Sequence, residues 1–221
     1  ILPAGTYLVS SALTMSVAGV TLEGAGYATN LRTNSASANI ITVSAGNCWI
    51  NSIRFTSSAT RSGGWYVDFA SGANRARITN FWMTGAIGGV RNAAAATVTI
   101  ESGDILDSVA ATGVGIRINA GFDVTIRDII MDQAAQTFAG IYITETGDVT
   151  IEDCNIIRSG NALHLAPGAG QVIASVWASN SYFDTSTRGL FANPVGASAS
   201  IVRCIFEECW FGGHTNQGAF F

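Results

Sequence analysis

The amino-acid sequence predicts an all-β fold, a single-stranded right-handed parallel β-helix of roughly seven to eight coils with about 25 residues in each. Two short strand motifs alternate along almost the whole chain at a nearly constant interval. The residues between the motifs favour turns, and no stretch of ten residues shows convincing helical periodicity. Strands this short cannot bury a face alone, whereas stacked coils enclose a continuous apolar interior.

The first motif is a three-residue segment whose two outer residues are apolar or small. Its copies end 22 to 28 residues apart. The clear copies are Val20-Thr21-Leu22, Cys48-Trp49-Ile50, Ala76-Arg77-Ile78, Val98-Thr99-Ile100, Val124-Thr125-Ile126 and Val149-Thr150-Ile151, and the weaker ones are Ala174-Ser175-Val176 and Ala199-Ser200-Ile201. Because side chains of a β-strand alternate between its faces, the outer residues of each motif are predicted to point inward.

The second motif alternates with the first. Its copies are Ile41-Thr42-Val43, Val67-Asp68-Phe69, Val90-Arg91-Asn92, Ile116-Arg117-Ile118, Ile141-Tyr142-Ile143, Leu163-His164-Leu165 and, at a looser spacing, Leu190-Phe191-Ala192. Turn residues separate the two motifs, as in Ala45-Gly46-Asn47 and Thr146-Gly147-Asp148. The stacked middle residues of each motif therefore form outward columns.

Three outward columns follow from this stacking. The first is a hydroxyl stack of Thr99, Thr125, Thr150, Ser175 and Ser200, and the second contains Glu101, Arg127, Glu152 and Trp177. The third, here called the arginine column, contains Thr42, Asp68, Arg91, Arg117, Tyr142, His164 and Phe191. Cys48 falls in an inward column, where a free thiol packs as a small apolar side chain.

Length and composition set further bounds. The 221 residues (23.0 kDa) are predicted to form one β-helix domain, residues 1–221. All 11 basic residues are Arg, and the net charge of −4 argues against nucleic acid as a partner. No run is apolar enough to span a membrane, and four cysteines without a CxxC pair and two histidines do not suit a zinc site. We expect no metal and no cofactor.

The chain is expected to be a segment of a longer polypeptide. It has no initiating Met, and it opens on Ile1-Leu2-Pro3, already within a strand-like pattern. A β-helix needs covered ends, because each terminal coil presents unpaired strand edges. Further segments or partner chains would supply those covers.

The arginine column carries the first candidate site. Arg91 and Arg117 lie on adjacent rungs with no acid between them, and a glycan carboxylate would relieve their repulsion by bidentate pairing. A polysaccharide lyase needs a cation for the uronate, a base for its α-proton and an acid for the leaving oxygen. Arg117 could take the first role, with Tyr142 and His164 sharing the others. Substrate binding would involve Asp68, Arg91 and Trp177. The alternative is an ordinary solvated face, or one covered by a neighbouring subunit.

Two pairs of carboxylates are alternative sites. Glu101 and Glu152 are two rungs apart, about 9.6 Å, near the separation used by inverting glycosidases. Arg127 lies between them, which equally suits a charge-compensated ladder. Asp128 and Asp153 are one rung apart, a spacing that suits a retaining mechanism or a bound cation, but they follow strands and could simply form the corners.

Exposed aromatic rings could stack on sugars. The candidates are Trp177, Phe191 and Trp210 toward the end of the chain and Trp49, Trp65 and Trp82 nearer its start. In a β-helix such rings more often pack in the core or under loops.

The entry segment Leu2-Pro3-Ala4-Gly5-Thr6-Tyr7-Leu8, followed by Gly19-Val20-Thr21-Leu22-Glu23-Gly24-Ala25-Gly26, resembles that of pectate-lyase-like β-helix proteins. Val149–Asn155 and Ile201–Glu207 look like generic coils of the same superfamily. This resemblance implies polysaccharide as the ligand class. The superfamily contains polysaccharide lyases, glycoside hydrolases, phage tailspikes and non-catalytic surface proteins, and no family active-site motif is present.

We expect a phage tailspike or tail-fibre-type virion protein that serves host attachment and acts as a depolymerase of a host surface polysaccharide. Tailspikes that this sequence resembles pack as homotrimers, and a chain with little charge and no Lys suits such packing. One alternative is a secreted, extracellular polysaccharide lyase or glycoside hydrolase, although the short turns leave little to flank a groove. Another is a non-catalytic structural or adhesive β-helix.

Overall fold

Parallel strands wind into a solenoid of about 8 turns with about 26 residues per turn, in a computed structural model that describes residues 1–107, 112–214 and 217–220. The strands are β1 (Gly5–Val9), β2 (Leu13–Met15), β3 (Thr21–Thr33), β4 (Ile41–Val43), β5 (Trp49–Ser57), β6 (Val67–Phe69), β7 (Arg77–Thr84), β8 (Gly88–Asn92), β9 (Thr99–Leu106), β10 (Val114–Ile118), β11 (Val124–Ile143), β12 (Thr146–Glu152), β13 (Asn155–Leu165), β14 (Val172–Ser179), β15 (Tyr182–Asp184), β16 (Arg188–Ala192), β17 (Ser200–Glu207), β18 (Trp210–Gly212) and β19 (Gln217–Phe220). No helix occurs within these residues. The predicted parallel β-helix is confirmed.

Each coil contributes to three stacked faces. The first face is built from β12, β14, β17 and the opening parts of β3, β5, β7, β9 and β11. The second contains β1, β15, β18, the later parts of β3, β5, β7 and β9, the middle of β11 and the start of β13. The third contains β2, β4, β6, β8, β10, β16, β19 and the ends of β11 and β13.

The inward columns predicted from the motifs form the core. On the first face they include Val98, Val124, Val149, Ile100, Ile126 and Ile151, and on the third Val67, Val90, Ile116, Ile141 and Leu163, all of them buried. Cys48 is buried with them. Apolar side chains from the faces thus form one continuous core along the rod.

A ladder of left-handed residues forms the corner between the first and second faces. It consists of Ser52, Asn80, Ser102, Asp128, Asp153, Asn180 and Glu208, each with φ between 48° and 58°. Short polar side chains tolerate this conformation better than most others, which explains the residue types. Asp128 and Asp153 therefore form corners, as one of the two interpretations above required.

The predicted register is wrong by two residues at β14 and by three further residues at β17, where Cys204 rather than Ile201 pairs with Val176. Trp177 pairs with Thr150, not with Glu152, and Ser175 pairs with Asp148. The reason is the longer connection between β13 and β14, which places Val176 against Val149 at a separation of 27 residues. The slip at β14 is even-numbered, so the inward residues of that strand stay inward. Trp177 thus leaves the second column, and Ser175 and Ser200 leave the hydroxyl stack.

Candidate functional site

The arginine column has the register that the sequence predicts. On the third face the rungs pair Thr42 with Asp68, Asp68 with Arg91, Arg91 with Arg117, Arg117 with Tyr142, Tyr142 with His164 and His164 with Phe191. The structure therefore brings the predicted Arg117, Tyr142 and His164 together on successive coils.

Asp68 and Arg91 are engaged with each other. Arg91 donates from Nε to Oδ1 and from Nη2 to Oδ2 of Asp68, both at 2.7 Å. The hydrogen bonds that Arg91 donates to Asp68 raise the pKa of Arg91. Asn39 donates a further hydrogen bond to Asp68 at 3.1 Å. Asp68 is buried rather than solvated, because it pairs with Arg91 from the neighbouring coil.

Arg117 is the cation of this column without a carboxylate partner among the described residues. Its Nε donates to Oδ1 of Asn119, and its guanidinium lies 5.1 Å from the centre of the Tyr142 ring. A stacked, half-buried guanidinium of this kind remains available to an anionic ligand.

His164 is enclosed by aromatic rings. The ring centres of Tyr142, Phe191 and Phe138 lie 4.9, 4.8 and 5.1 Å from that of His164, which is only 5% exposed. Both ring nitrogens are buried and have no hydrogen-bond partner among the residues that the structure describes. Burial, and the nearby Arg188, lower the pKa of His164 to about 4. In this arrangement the imidazole is neutral at pH 7 and cannot touch a substrate.

Burial of His164 predicts a loss of stability in acid. Its pKa is lower in the folded than in the unfolded chain, so its contribution is full above pH 6.5 and is lost as the pH falls toward 4. Between pH 7 and 4.5 the wild type should lose about 2 kcal/mol more unfolding free energy than His164→Phe. Urea unfolding of both proteins at the two pH values measures this difference. Equal losses would contradict it.

The carboxylates of the first face form a charge-compensated ladder. Arg127 donates to Oε1 of Glu101 at 2.8 Å, and the next rung places Glu152 beside Arg127. The hydrogen bond that Arg127 donates to Glu101 raises the pKa of Arg127. These contacts favour the structural interpretation of Glu101 and Glu152.

A groove that the sequence reading missed lies at the corner between the first and second faces. Its volume is about 350 Å³. Its lining residues are Gly26, Tyr27, Ser52, Asn80, Ser102, Gly103, Asp104, Asp128 and Ile130. It combines an aromatic wall with two carboxylates, and one of these, Asp128, was among the predicted candidates.

Regular strand pairing positions one side of this groove. Arg54, Trp82 and Asp104 point outward on adjacent rungs of β5, β7 and β9. The guanidinium of Arg54 stacks 4.1 Å from the Trp82 ring centre, and the Tyr27 ring lies 5.9 Å from that of Trp82. The result is an aromatic surface directly beside the Asp104 carboxylate.

The two carboxylates of the groove have different surroundings. Burial raises the pKa of Asp104, and the charge of Asp128 raises it further. Asp128 instead accepts a hydrogen bond of 2.9 Å from Ser102 Oγ. Burial and the charge of Asp104 also raise the pKa of Tyr27. Neighbouring carboxyl groups in unlike environments are suited to separate acid and base roles.

The sequence did contain a signal for this site. Trp82, Asp104 and Ile130 each follow the first motif by four residues, after Ile78, Ile100 and Ile126. In the coil of Asp104, the corner residue Ser102 lies between the motif and this outward residue. Its left-handed backbone turns the chain, so the inward and outward alternation of side chains is not evident from the sequence at that point. Extending each coil beyond its three-residue motif would have aligned these outward residues.

A second concavity lies near the last coils. Its volume is about 510 Å³, and Glu152, Trp177, Ser179, Asn180, Glu207 and Glu208 line it. Two of the predicted residues, Glu152 and Trp177, thus do lie together, although on different columns. Asp153, the neighbour of Glu152, is exposed at its corner.

Within the described residues, no group of three or more His, Cys, Asp or Glu side chains could hold a metal ion. The same part of the chain contains no helix that is long and apolar enough to cross a membrane.

No protein-family model matches the chain, and no curated protein sequence does. Among solved structures, it is similar to the A-module of the Azotobacter vinelandii mannuronan C-5 epimerase AlgE6, with 14% identity and a TM-score of 0.43 over 94% of this chain and 89% of that one. It is also similar to the A-module of the mannuronan C-5 epimerase AlgE4 of the same organism, with 12% identity and a TM-score of 0.37 over 100% of this chain and 88% of that one. ORF18 of Geobacillus virus E2 is similar as well, with 10% identity and a TM-score of 0.38 over 95% of this chain and 53% of that one. At these values the likeness carries no inference about substrate or reaction.

Proposed function

We propose that the groove around Asp104 binds a polysaccharide and hydrolyses one of its glycosidic bonds. The observation that carries this proposal is the half-buried Asp104, whose pKa is raised, beside Asp128 and under the aromatic pair of Tyr27 and Trp82. Aromatic faces with a few polar groups are what a sugar-binding site requires. Two carboxylates add the means to cleave.

The proposed chemistry is a balanced acid–base hydrolysis. Protonated Asp104 donates its proton to the glycosidic oxygen as the bond from that oxygen to the anomeric carbon breaks. The oxygen of a water molecule bonds to the anomeric carbon, and the proton it loses passes to Asp128. Because the Asp128 carboxylate repels anions, the sugars that bind here are expected to be uncharged.

Incubation with a panel of neutral and acidic bacterial polysaccharides tests this function. New reducing ends from a neutral polymer, without absorbance near 235 nm, are the expected result. Absorbance near 235 nm reports the unsaturated uronate ends that only a lyase makes. Binding without either product would leave a non-catalytic attachment protein.

A lyase site at Arg117 is the second candidate, because this guanidinium has no carboxylate partner in the described part of the chain. Arg117 would neutralise a uronate while Tyr142 and His164 moved the protons, and the carbon–oxygen bond would break as a carbon–carbon double bond forms. His164 would first have to leave its aromatic enclosure. Absorbance near 235 nm that is lost in Arg117→Gln or Tyr142→Phe would establish this candidate.

We also propose that the protein is a virion tailspike that assembles as a homotrimer. Phe122 is 65% exposed and lies in a concavity whose lining is mostly small or apolar, with Ala94, Ala120, Val172 and Ala174 beside the charged Glu145. An exposed aromatic ring on such a surface suits side-by-side packing of copies of the chain. These features support an oligomer, whose proposed role is attachment to host polysaccharide.

Phe122→Ser should weaken this assembly. Removing the ring deletes the largest exposed apolar group of the surface, so the mass measured by light scattering should fall from that of a trimer toward that of a single chain. The exposed Tyr27, on another side of the rod, supplies the control Tyr27→Ser. A wild-type chain that is monomeric at all concentrations would contradict the proposal.

A further inference from the structure

Two large aromatic side chains continue the line of Asp104 along the rod. Successive rungs of the second face pair Asp104 with Ile130, Ile130 with Asn155, Asn155 with Tyr182 and Tyr182 with Trp210. Tyr182 and Trp210 are 57% and 58% exposed. Adjacent rungs are about 4.8 Å apart, so the two side chains are neighbours on the outer surface.

Tyr182 and Trp210 point away from the apolar core. The inward positions beside them are filled by Phe183 and Phe211, whose rings stack with centres 5.1 Å apart. The indole of Trp210 lies over Gly212, where an added Cβ would be only 2.2 Å from Nε1. The ring is therefore held against the strand, with part of its surface open to solvent.

The outward column between this pair and the groove contains no charged residue. Ile130 and Asn155 separate Asp104 from Tyr182 and are both exposed. The distance along the rod is three rungs, about 14 Å, which a few sugar rings would span. A polymer extended along the rod axis could therefore contact both places at once.

We propose that Tyr182 and Trp210 form a second sugar-binding subsite, which holds the polysaccharide chain whose bond is cleaved at Asp104. This inference rests on the proposed function. Stacking on aromatic faces would let the subsite hold uncharged sugars. Because a chain held at two places gains effective concentration at each, long polymers should bind more tightly than short oligosaccharides.

The test uses two proteins that both carry Asp104→Asn, which prevents cleavage. One of them also carries the double substitution Tyr182→Ala/Trp210→Ala, and the other retains both aromatic residues. Affinity electrophoresis in gels containing a neutral polymer from the panel should show about tenfold weaker binding or worse. Binding of an oligosaccharide of two or three sugars should not change. The matched control is Trp177→Ala, which removes an exposed indole from a different column.

Unchanged polymer binding by the folded double variant would overturn the subsite. So would an equal loss of affinity for short oligosaccharides and for the polymer, because it would indicate a disturbed groove. Tyr182→Phe/Trp210→Phe retains flat rings and should retain most of the binding, which separates stacking from folding defects. If cleavage survives Asp104→Asn while the double variant still loses polymer binding, the subsite stands and the catalytic assignment fails.

Discussion

Replacing Asp104 by Asn should lower the rate of polysaccharide hydrolysis by a factor of about 10²–10⁴. The amide keeps the size of the side chain but carries no proton that can pass to the leaving oxygen. Polymer binding should persist, because Tyr27 and Trp82 remain in place. Initial rates of reducing-end formation, measured beside binding in the same buffer, check both expectations.

Asp132→Asn is the matched control for this substitution. Asp132 lies on the same face but outside the groove, where it forms an ion pair with Arg158. Its replacement should leave the rate near that of wild type. A substrate with a phenolate leaving group gives a second check, since it needs little protonation and Asp104→Asn should cleave it with a smaller loss. A rate on the polymer unaffected by Asp104→Asn would refute the assignment.

Replacing Phe81 by Ala should lower the free energy of unfolding by about 3–5 kcal/mol. The Phe81 ring is fully buried and occupies the space beside Gly103 on the next rung. A Cβ on Gly103 would lie 2.3 Å from atoms of that ring. Gly103→Ala should therefore cost about 1–3 kcal/mol through overpacking, and it should also displace the adjacent Asp104.

Urea unfolding of the single and double variants measures this coupling. The double variant Gly103→Ala/Phe81→Leu should lose less unfolding free energy than Gly103→Ala and Phe81→Leu lose in sum, because the smaller side chain makes room for the new methyl group. Strict additivity would show that the ring and the glycine do not fill a common space. Ile53→Val, in the neighbouring coil, provides a mild core substitution for comparison.

The arginine column shows how far the sequence predicts the fold. A period-two motif determines which side chains face outward, and the repeat interval determines which of them become neighbours. The order from Asp68 to Phe191 is confirmed for that reason. The predicted position of Trp177 is wrong because the connection before β14 is longer than in the two preceding coils, and a fixed repeat interval cannot predict that difference.

The environment of each outward side chain was harder to predict. Phe138 covers His164 from the long β11 strand, so an outward position on the ladder is nevertheless buried. Asp68 is likewise buried through contacts made between coils. Repeat spacing gives neighbours within a column, but it does not show which segments cross over that column.

The groove depends on residues that different parts of the coil supply. Tyr27 and Asp104 line the groove together with Asp128 because a left-handed corner joins two faces at that point. A list of three-residue motifs leaves out this corner. The raised pKa of Asp104 follows from burial in the assembled groove, which no local pattern contains.

Hydrogen–deuterium exchange with and without bound polymer tests the central claim most directly, because it locates the ligand on the rod. Asp104→Asn, saturated with a neutral polysaccharide from the panel, should exchange more slowly in β7 and β9, at residues 77–84 and 99–106. Peptides from β8 and β10, at residues 88–92 and 114–118, should change little. Protection of β8 and β10 instead, with β7 and β9 unaffected, would place the polymer on the arginine column and contradict the proposed site.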